Sequence, residues 1–413
     1  MATDVAALST YSNVTREAHR RRVAFAGNKA LWMWDKFKAD PQKHAGESLV
    51  NFSLKYQMGE GASYTAEGAA HPSASQSAHA KGQLYIKKLI SIMKYNEEIV
   101  QLKGPEVIID KLVDIRMDCT DTYKLLREHS LHTPGNGVLA TCTVAAGGSQ
   151  YFTVDSTRWL RVGMTIDGYD SENHHDADSV VITNINPSTK VVTVTGTVSS
   201  VDTGTSFYYN DTYTASGGTI ATTKYTNGIE TICSDTDPAY GDFEGLDRDT
   251  YDYAKATVAY GSVPGTAEAF TQDRLFDLFE LAHGIVGPDN LPDWAYGSLK
   301  CYRAVYNAYR DEQQPTIFMP AKDGMPSGLQ FQYGSHMVRI VPSHLAAPNT
   351  LYMPNMKYCI KYSGGVEGWD NYAGSVSDKV PGYQQFQEIY RGWWNYGTDF
   401  PQSNLALFDI TEA

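Results

Sequence analysis

The sequence lacks the long apolar runs and paired cysteines that mark membrane proteins and disulfide-stabilised secreted proteins. No apolar run approaches the roughly 18 residues that a membrane-spanning helix needs, and residues Met1–Asp4 open no signal peptide. The cysteines are odd in number and widely spaced, which predicts reduced and mostly buried thiols. They are Cys119, Cys142, Cys233, Cys301 and Cys359. We therefore expect a soluble protein that is made in the cytoplasm and does not bind a membrane.

Positive charge is also scarce. The formal net charge is −13, which argues against a nucleic-acid-binding surface spread over the protein. Arg20, Arg21 and Arg22 form a short basic cluster that departs from this balance. Two interpretations of the cluster stay open, a solvated helix face or a contact with a partner protein, a neighbouring subunit or DNA.

Catalytic signatures are missing as well. The chain has no Gly-x-Ser-x-Gly elbow, no His-Glu-x-x-His and no phosphate loop, and Gly59-x-Gly61 lacks the third glycine of a dinucleotide fingerprint. A glycosidase would need a paired acid and nucleophile, but nothing singles out two among 47 acidic residues. We therefore predict no catalytic residue, no cofactor and no enzymatic activity.

One segment resembles a metal site in its residue types. Residues 172–178 combine carboxylates with the imidazoles of His174 and His175, followed by Asp176 and Asp178. The glycine that would shape a calcium loop is missing, and adjacent histidines rarely face one site. A solvated turn is the preferred interpretation, so we predict no bound metal, although ion binding by these four residues stays open.

The segment that follows Leu49 predicts a long hairpin. Apolar and polar residues alternate over residues 50–56, and a second apolar run follows at Leu84–Ile86. Between them, 14 of the 22 residues from Gly59 to Ala80 are Ala, Gly or Ser, so this tip cannot form a core of its own. It is either a mobile surface loop or a projecting hairpin that lies across a neighbouring subunit.

A long amphipathic helix comes next. Its apolar positions recur every three or four residues, which is typical of a helix with one buried stripe. They are Ile108, Leu112, Ile115, Cys119, Tyr123 and Leu126. From Glu106 to His129 the helix would span roughly 36 Å at 1.5 Å per residue, and Thr133–Gly137 would end it. This length predicts a structural spine that extends to His132.

The remainder divides into a β-rich segment and a mixed body. Residues 138–225 are rich in Val, Thr, Ile and Tyr, which predicts an inserted all-β module, with Leu160–Ile166 as a strand that turns at Gly163 into another. Beyond it, helices are predicted over Thr271–Ala282 and Leu299–Tyr309. Strands are predicted at residues 316–319, 337–341, 350–353 and 405–410. The expected class is α+β.

This order of elements resembles the major capsid proteins of tailed bacteriophages. The resemblance lies in a charged N-terminal arm, the glycine-rich hairpin tip, the Lys87-Lys88 return strand, the spine helix and the Gly135–Ala140 segment that follows it. It covers Thr15–Ala140 well, is weaker over Ile229–Ala413 and does not include the middle segment.

The resemblance implies a phage major-capsid fold with an inserted β-barrel or sandwich-like module. The implied divisions are an N-terminal arm (1–47), an extended loop (48–90), a peripheral domain with the spine helix (91–137), the insertion (138–225), and the remaining peripheral and axial domains (226–413). The axial domain would fall within Thr266–Ser343. Subunit contacts would come from Arg20, Arg21 and Arg22 in the arm and from Gly59, Glu60, Gly61, Tyr64, Glu67 and Gly68 in the loop tip.

The function implied is that of a structural subunit. Such a protein forms pentamers and hexamers in an icosahedral virion head, made in the host cytoplasm, that encloses double-stranded DNA without sequence-specific binding. Scaffold, portal and decoration proteins are the expected partners. Some relatives have a cleaved N-terminal scaffold segment or a lysine–asparagine crosslink. Here we expect a separate scaffold or none, and no crosslink from Lys55, Lys81, Lys87 or Lys88.

A second function stays open because the chain is rich in aromatic residues. It has 28 tyrosines and 7 tryptophans, including Trp393, Trp394 and Tyr396. Exposed rings could stack on sugars in a carbohydrate-binding module, a virion adhesin or a decoration protein. Rings at subunit contacts would give the same composition. The oligomeric state distinguishes the two functions.

Overall fold

The computed structural model describes most of the chain. The described residues are 33–40, 49–57, 76–96, 105–145, 149–170, 175–198, 201–209, 225–238, 241–311, 318–319, 328–365, 367–370 and 377–412.

Strands predominate over helices among the described residues. The strands are β1 Lys38–Ala39, β2 Leu49–Gln57, β3 Ala78–Tyr85, β4 Lys87–Asn96, β5 Ala140–Val144, β6 Ser149–Val154, β7 Thr165–Tyr169, β8 His175–Asn186, β9 Val191–Val198, β10 Ser206–Tyr209, β11 Thr257–Ala259, β12 Trp294–Gly297, β13 Phe318–Met319, β14 Gly328–Tyr333, β15 His336–Pro342, β16 Leu351–Met353, β17 Cys359–Ser363, β18 Gly368–Trp369, β19 Asp378–Lys379, β20 Gln385–Thr398 and β21 Leu405–Leu407. The helices are α1 Pro105–His132, α2 Ile229–Ile232, α3 Gln272–Val286 and α4 Leu299–Asp311. None of these helices is long and apolar enough to cross a membrane.

The chain divides into two compact units. The first takes residues from Met1–Ser48, Ile86–Glu128 and Lys361–Asn395, and the second takes Leu49–Tyr85, His129–Ile360 and Tyr396–Ala413.

The first unit is built on a six-stranded sheet that centres on β20. Strands β17, β18, β19 and β4 all pair with β20, and β1 pairs with β17. The β4–β20 ladder is antiparallel over ten residue pairs, from Lys87 opposite Trp394 to Asn96 opposite Gln385. Helix α1 packs on this ladder through a cluster that includes Cys119, Met93 and Tyr95. The apolar stripe predicted for the helix therefore lies, where its side chains are described, towards the sheet.

A buried ion pair joins α1 to β20. The Arg116 guanidinium donates to both Glu388 carboxylate oxygens, with Nε–Oε2 and Nη2–Oε1 distances of 2.6 and 2.7 Å. The Tyr95 hydroxyl of β4 donates to Glu388 at 3.2 Å, and Ser377 Oγ donates at 2.5 Å. Burial alone would raise the pKa of Glu388, but the hydrogen bonds from Arg116 and Ser377 outweigh it and hold the pKa below its ordinary value.

The second unit contains a closed six-stranded barrel with strand order β10-β5-β6-β9-β8-β7. The inward residues are apolar, and the Phe152 and Phe207 rings stack at a centroid distance of 4.4 Å. Because the ladder closes on itself, the barrel leaves no free strand edge.

One prediction in this region is wrong in its first half: the turn at Gly163 and the strand after it are present, but the strand predicted before the turn is not. Residues Leu160–Met164 form turns rather than a strand, and β7 begins only at Thr165. Met164 N donates to Arg161 O at 3.1 Å and Gly163 has a φ of +88°, so the chain reverses here while Val162 is left exposed. The apolar residues before Gly163 therefore predicted a strand wrongly, because Leu160 is buried beside a turn and not within a β-ladder.

A seven-stranded mixed sheet forms the rest of the second unit, in the order β11-β21-β16-β12-β15-β14-β13. Helices α3 and α4 pack on one face of it, and both share a single apolar core with residues such as Phe331, Ile340 and Leu405. Helix α3 begins after Thr271, whose side chain accepts from Arg274 N, and ends at Gly287, with a φ of +79°. The two helices predicted in this region are confirmed, with α3 extending four residues beyond the predicted end.

Replacing Arg116 with Met would leave the buried Glu388 carboxylate without its bidentate partner. We expect the free energy of unfolding to fall by about 2–4 kcal/mol, less than for a fully buried pair because the Arg116 side chain is 41% exposed. Lys124→Met, at an exposed position of the same helix, is the matched control and should change stability by less than about 0.5 kcal/mol. Denaturant unfolding at pH 7 measures both values.

The effect of Arg116→Met should also depend on pH. The folded-state pKa of Glu388 lies below its ordinary value. The ionised carboxylate therefore contributes to the free energy of unfolding above about pH 4.3, and this contribution is lost as the pH falls further. The difference between wild type and Arg116→Met should therefore shrink in acid. A difference that is constant with pH, or equal stability of the two variants at pH 7, would contradict the role of the ion pair.

Candidate functional site

The hairpin of β2 and β3 forms a two-stranded sheet of its own. The strands are antiparallel from Leu49 opposite Tyr85 to Gln57 opposite Ala78, with an irregularity between Lys55 and Gln57. Within the described part of the chain, neither strand pairs with a third. Both outer edges therefore carry free backbone groups, and an isolated two-stranded hairpin is only marginally stable in water.

Side-chain bonds across this hairpin are long and exposed. Ser53 Oγ lies 3.2 Å from His79 Nδ1, and Gln83 Nε2 donates to Asn51 Oδ1 at 3.3 Å. Such contacts contribute little to stability at an exposed site. The predicted tip from Gly59 to Ala80 is shorter than expected, since β3 already begins at Ala78. Its last residues, Ala78, His79 and Ala80, belong to this strand, although none of them is a β-branched or large apolar residue.

The root of the hairpin, in contrast, is fixed to the second unit. Val50 and Leu84 are buried, and Gln83 N donates to Glu244 O at 2.7 Å. Gly245, with a φ of +71°, lies against Gln83, and a side chain there would be strained. Higher up, the Phe52 ring covers Gly82, where any Cβ would collide with it. The hairpin is thus anchored at one end and unpaired along its length.

Glu244 is the central residue of this root. Its φ of +55° is rare for a residue with a side chain, and its carboxylate accepts the Thr398 N–H at 2.9 Å. Its backbone carbonyl carries the bond to Gln83. Burial raises the pKa of Glu244 to about 8, although the Thr398 N–H and the nearby Arg248 guanidinium act in the opposite direction. Near neutral pH this carboxyl is therefore mostly protonated.

A second buried polar cluster joins the barrel to the C-terminal turn of α1. The His129 ring meets the Trp159 ring edge-on at 4.8 Å, and the His132 ring meets Tyr296 at 5.6 Å. Burial lowers the pKa of His129 to about 4 and that of His132 to about 3, so both imidazoles are neutral at pH 7. From the same barrel turn, Arg158 donates to Leu345 O at 3.0 Å.

The outer face of β4 carries a short exposed stripe. Met93 and Tyr95 are buried, whereas the alternate residues Ile90 and Ile92 are 41% and 54% exposed. Exposed lysines lie at both ends of the stripe. An exposed apolar stripe on a strand is a surface that another chain can cover.

The predicted contact residues of the arm and the loop tip lie outside the described residues. This applies to Arg20, Arg21 and Arg22 and to Gly59, Glu60, Gly61, Tyr64, Glu67 and Gly68. Their contacts therefore stay predictions.

The six predicted spine residues all lie on α1. Only the backbone is described for Ile108 and Leu112. Cys119 and Tyr123 are buried, whereas Ile115 and Leu126 are partly buried. The ion pair of Arg116 on the same helix could not be predicted, because no local signal in the sequence marks Glu388 as its partner.

The residues considered for metal binding are only partly described. His174 lies outside the described residues, and His175, Asp176 and Asp178 are described as backbone of β8. Among the described side chains, no group of three or more His, Cys, Asp or Glu residues is arranged to hold a metal ion. The five cysteines are free and buried, as predicted.

The aromatic residues near the C-terminus are mostly enclosed. Trp394 and Tyr396 are buried. The Trp393 ring is half-buried, with Lys88 Nζ at 5.5 Å and the Arg391 guanidinium at 4.5 Å from its centroid. These rings do not form an open platform for a sugar.

Comparison with known proteins finds structures with a similar fold. No protein-family model and no curated protein matches the sequence. Solved structures do match. The chain aligns with the cyanophage A-1(L) capsid asymmetric unit at a TM-score of 0.56 and 14% identity, covering 97% of this chain and 99% of that chain. The capsid of a native GTA particle aligns at 0.49 and 8% identity, covering 96% and 94%. An encapsulin complex from Synechococcus elongatus aligns at 0.45 and 6% identity, covering 97% and 95%.

The first of these alignments shows the fold of the chain. It spans nearly all of both proteins, and its identity is too low to show more than fold. The chain therefore has the mixed α+β fold of phage capsid proteins, and the resemblance predicted from the sequence is confirmed at that level.

Glu244→Gln would remove a buried titrating group while keeping an acceptor for the Thr398 N–H. Because the folded-state pKa of about 8 lies above the unfolded value, the stability contribution is fully present below about pH 4.3 and is lost as the pH rises towards 8. Each pH unit in this window costs about 1.4 kcal/mol. Relative to Glu244→Gln, wild type should therefore lose about that much stability per unit from pH 5 to pH 8.

Denaturant midpoints at pH 5, 6, 7 and 8 give this comparison directly. Glu280→Gln, at an exposed position of α3, is the control and should follow the wild-type curve. Parallel curves for wild type and Glu244→Gln would show that Glu244 does not titrate in this window.

Proposed function

We propose that the protein is a major capsid protein that assembles with copies of itself into a closed shell around DNA. The observation that carries the proposal is the fold, which matches a cyanophage capsid subunit over 97% of this chain and 99% of that chain.

The hairpin supports the proposal. Its root is anchored by the bond from Gln83 N to Glu244 O, and beyond that bond no other described strand pairs with β2 or β3. A subunit that lies beneath or across this hairpin would cover those edges, which a monomer leaves exposed. We assign residues 48–90 as the extended loop, with Gly59, Glu60, Gly61, Tyr64, Glu67 and Gly68 as contacts to the next subunit.

The peripheral and axial domains are assigned as part of this proposal, and the division into two units supports the assignment. The sheet around β20, with α1 as its spine, corresponds to a peripheral domain. The seven-stranded sheet with α3 and α4 corresponds to the axial domain that meets its copies at the fivefold and sixfold axes. The mechanism is geometric, since one sequence repeats the same contacts at both axes with slightly different curvature.

Charge fits the role of a container. With a net charge of −13, the wall would repel DNA rather than bind it, so packaged DNA would slide freely. Scaffold, portal and decoration proteins are the partners proposed for assembly. The carbohydrate-binding alternative loses support because Trp394 and Tyr396, two of the rings that suggested it, are buried.

Purified protein, expressed alone and concentrated stepwise, tests the function. We expect closed shells or capsomer rings tens of nanometres across by negative-stain microscopy, with a matching rise in light scattering. Where the protein alone stays monomeric, co-expression with the neighbouring genes of its source genome supplies a scaffold. A monomer that also binds immobilised glycans under both conditions would replace the capsid function with the alternative.

The hairpin has its own test. Replacing residues 58–77 with Asn-Gly would join Gln57 to Ala78 by a two-residue turn and keep the β2–β3 ladder. We expect this variant to fold with unchanged helical circular dichroism and to fail to form shells. A Gly/Ser segment of the original length is the control that separates loop length from loop sequence. Normal shells from the shortened variant would show that the tip is only a surface loop.

A further inference from the structure

Two histidines are buried at the end of α1. His129 and His132 lie in the last turn of the helix, and each is only 2% exposed. His129 Nε2 lies 3.1 Å from Val138 O, and because a carbonyl can only accept, Nε2 carries the proton of the neutral ring. A second proton would have to be added at Nδ1, inside the protein. Both rings are therefore enclosed in their neutral form.

Three parts of the second unit meet at these rings, namely the helix end, the barrel and the mixed sheet. The barrel contributes the turn at Arg158 and Trp159. The Trp159 ring meets the His129 ring edge-on at 4.8 Å and lies 6.2 Å from the His132 ring. The mixed sheet contributes Tyr296 of β12, whose ring lies 5.6 Å from that of His132. The two imidazoles thus lie at the junction between the barrel and the rest of the unit.

Positive charge lies close to both rings. Arg158 lowers the pKa of both imidazoles, and His344, an exposed residue after β15, acts in the same direction on His132. The carboxylate of Glu230 in α2 is already paired with Arg158, with 3.4 Å between Oε1 and Nη2. A proton added to either imidazole would therefore come close to a guanidinium in a site that excludes water.

The other titratable groups around the junction stay uncharged near neutral pH and in mild acid. Burial raises the pKa of the Tyr296 and Tyr352 hydroxyls and of the Cys233 thiol well above their ordinary values. His344 in turn faces Arg161, which lowers its pKa. The charge of the junction between pH 7 and pH 5 is therefore decided mainly by the two buried imidazoles and by Glu230.

Glu230 responds to acid in the opposite direction to the histidines. Burial raises its pKa to about 6, although Arg158 acts to lower it. The closed junction therefore gains stability from Glu230 as the pH falls through 6. For His129 and His132, burial lowers the pKa to about 4 and about 3, so their contribution is present above about pH 6.5 and is lost as the pH falls.

We propose that the contact between the barrel turn and the last turn of α1 is an acid-sensitive junction, which opens when His129 and His132 take up protons and leaves the barrel and the mixed sheet folded. In the open state both rings reach water, where the imidazolium form is stable. The closed barrel ladder and the core beneath α3 and α4 include neither histidine, so they lose nothing when these rings ionise. This inference goes beyond the proposed function, because it concerns the single subunit and does not depend on assembly.

The pKa values set the size of the expected effect. Between pH 7 and pH 5, the ratio of open to closed junction should rise roughly 20-fold for each histidine and roughly 400-fold for both. Glu230 offsets this rise roughly eightfold. Wild type should therefore open roughly 50-fold more at pH 5 than at pH 7.

Hydrogen–deuterium exchange of the full-length protein tests the junction. After correction for the intrinsic pH dependence of exchange, peptides that cover residues 129–132 and 157–160 should lose roughly 50-fold in protection from pH 7 to pH 5. Peptides from β8, β9 and α3 should keep their protection. Unchanged protection at the junction would overturn the proposal. An equal loss in all these peptides would also overturn it, because it would show acid unfolding of the whole unit.

His129→Gln and His132→Gln identify the titrating groups. Glutamine does not titrate, and at position 129 it keeps an N–H donor for Val138 O. Each single variant should reduce the acid response to roughly two- or threefold, and the double variant should reverse its direction. Each variant is compared with itself at two pH values, so a change in its stability at pH 7 cancels.

The control for these variants is His283→Gln, at an exposed position of α3, which should respond like wild type. If the double variant does not fold, the two single variants decide the outcome. An acid response of wild-type size in both of them would overturn the proposal.

Glu230→Gln tests the opposing group. Because this variant removes the offset, its acid response should rise to roughly 400-fold, whereas loss of a merely structural residue would not change the pH dependence. A response no larger than that of wild type would overturn the balance of charges proposed for the junction.

Discussion

The ion pair between Arg116 and Glu388 is the interaction on which the first unit depends. It ties the middle of α1 to β20, and Tyr95 brings β4 to the same carboxylate. Glu388 is fully buried, so its charge is tolerable only while all three elements are in place. The long strand β20 also pairs with four other strands of the sheet. A single polar contact thus fixes the register between a helix and a sheet that are far apart in the sequence.

The sheets of this chain differ in whether their edges and faces are covered by other described residues. The barrel closes its ladder, and α3 and α4 cover one face of the mixed sheet. Within the part of the chain that the structure describes, the β2–β3 hairpin has neither protection, although its root is held through Glu244. Charge and bulges commonly protect such edges, and this hairpin has Lys55, Lys81 and an irregularity between Lys55 and Gln57. Ile90 and Ile92 on β4 are also exposed, and their apolar side chains do not contribute to the core of a monomer. A second chain that covered them would remove this surface from water.

The sequence predicted elements with strong local signals and failed where tertiary contacts decide. Pro105 and the apolar stripe were sufficient to place α1, and the periodicity of Leu275, Leu278 and Phe279 was sufficient for α3. The start of β3 at Ala78 was missed because Ala78, His79 and Ala80 include no β-branched or large apolar residue that would indicate a strand. Leu160 suggested a strand because burial in a turn and burial in a ladder select the same residue type. No pattern could select Glu388 among 47 acidic residues as the partner of Arg116.

The closed barrel joins the rest of the second unit at two neighbouring points of the chain. Gly137, with a φ of +76°, lies directly beneath the Tyr225 ring, so the chain leaves and returns at neighbouring points. Gly228 then packs against the Thr133 carbonyl at the end of α1, so the chain after the barrel returns to the point where the chain before it left α1. A segment whose ends lie this close together adds little loop-closure entropy to the fold of the unit that carries it. The Trp159 turn holds the barrel against His129, so the module is fixed at a second point and can present a defined surface.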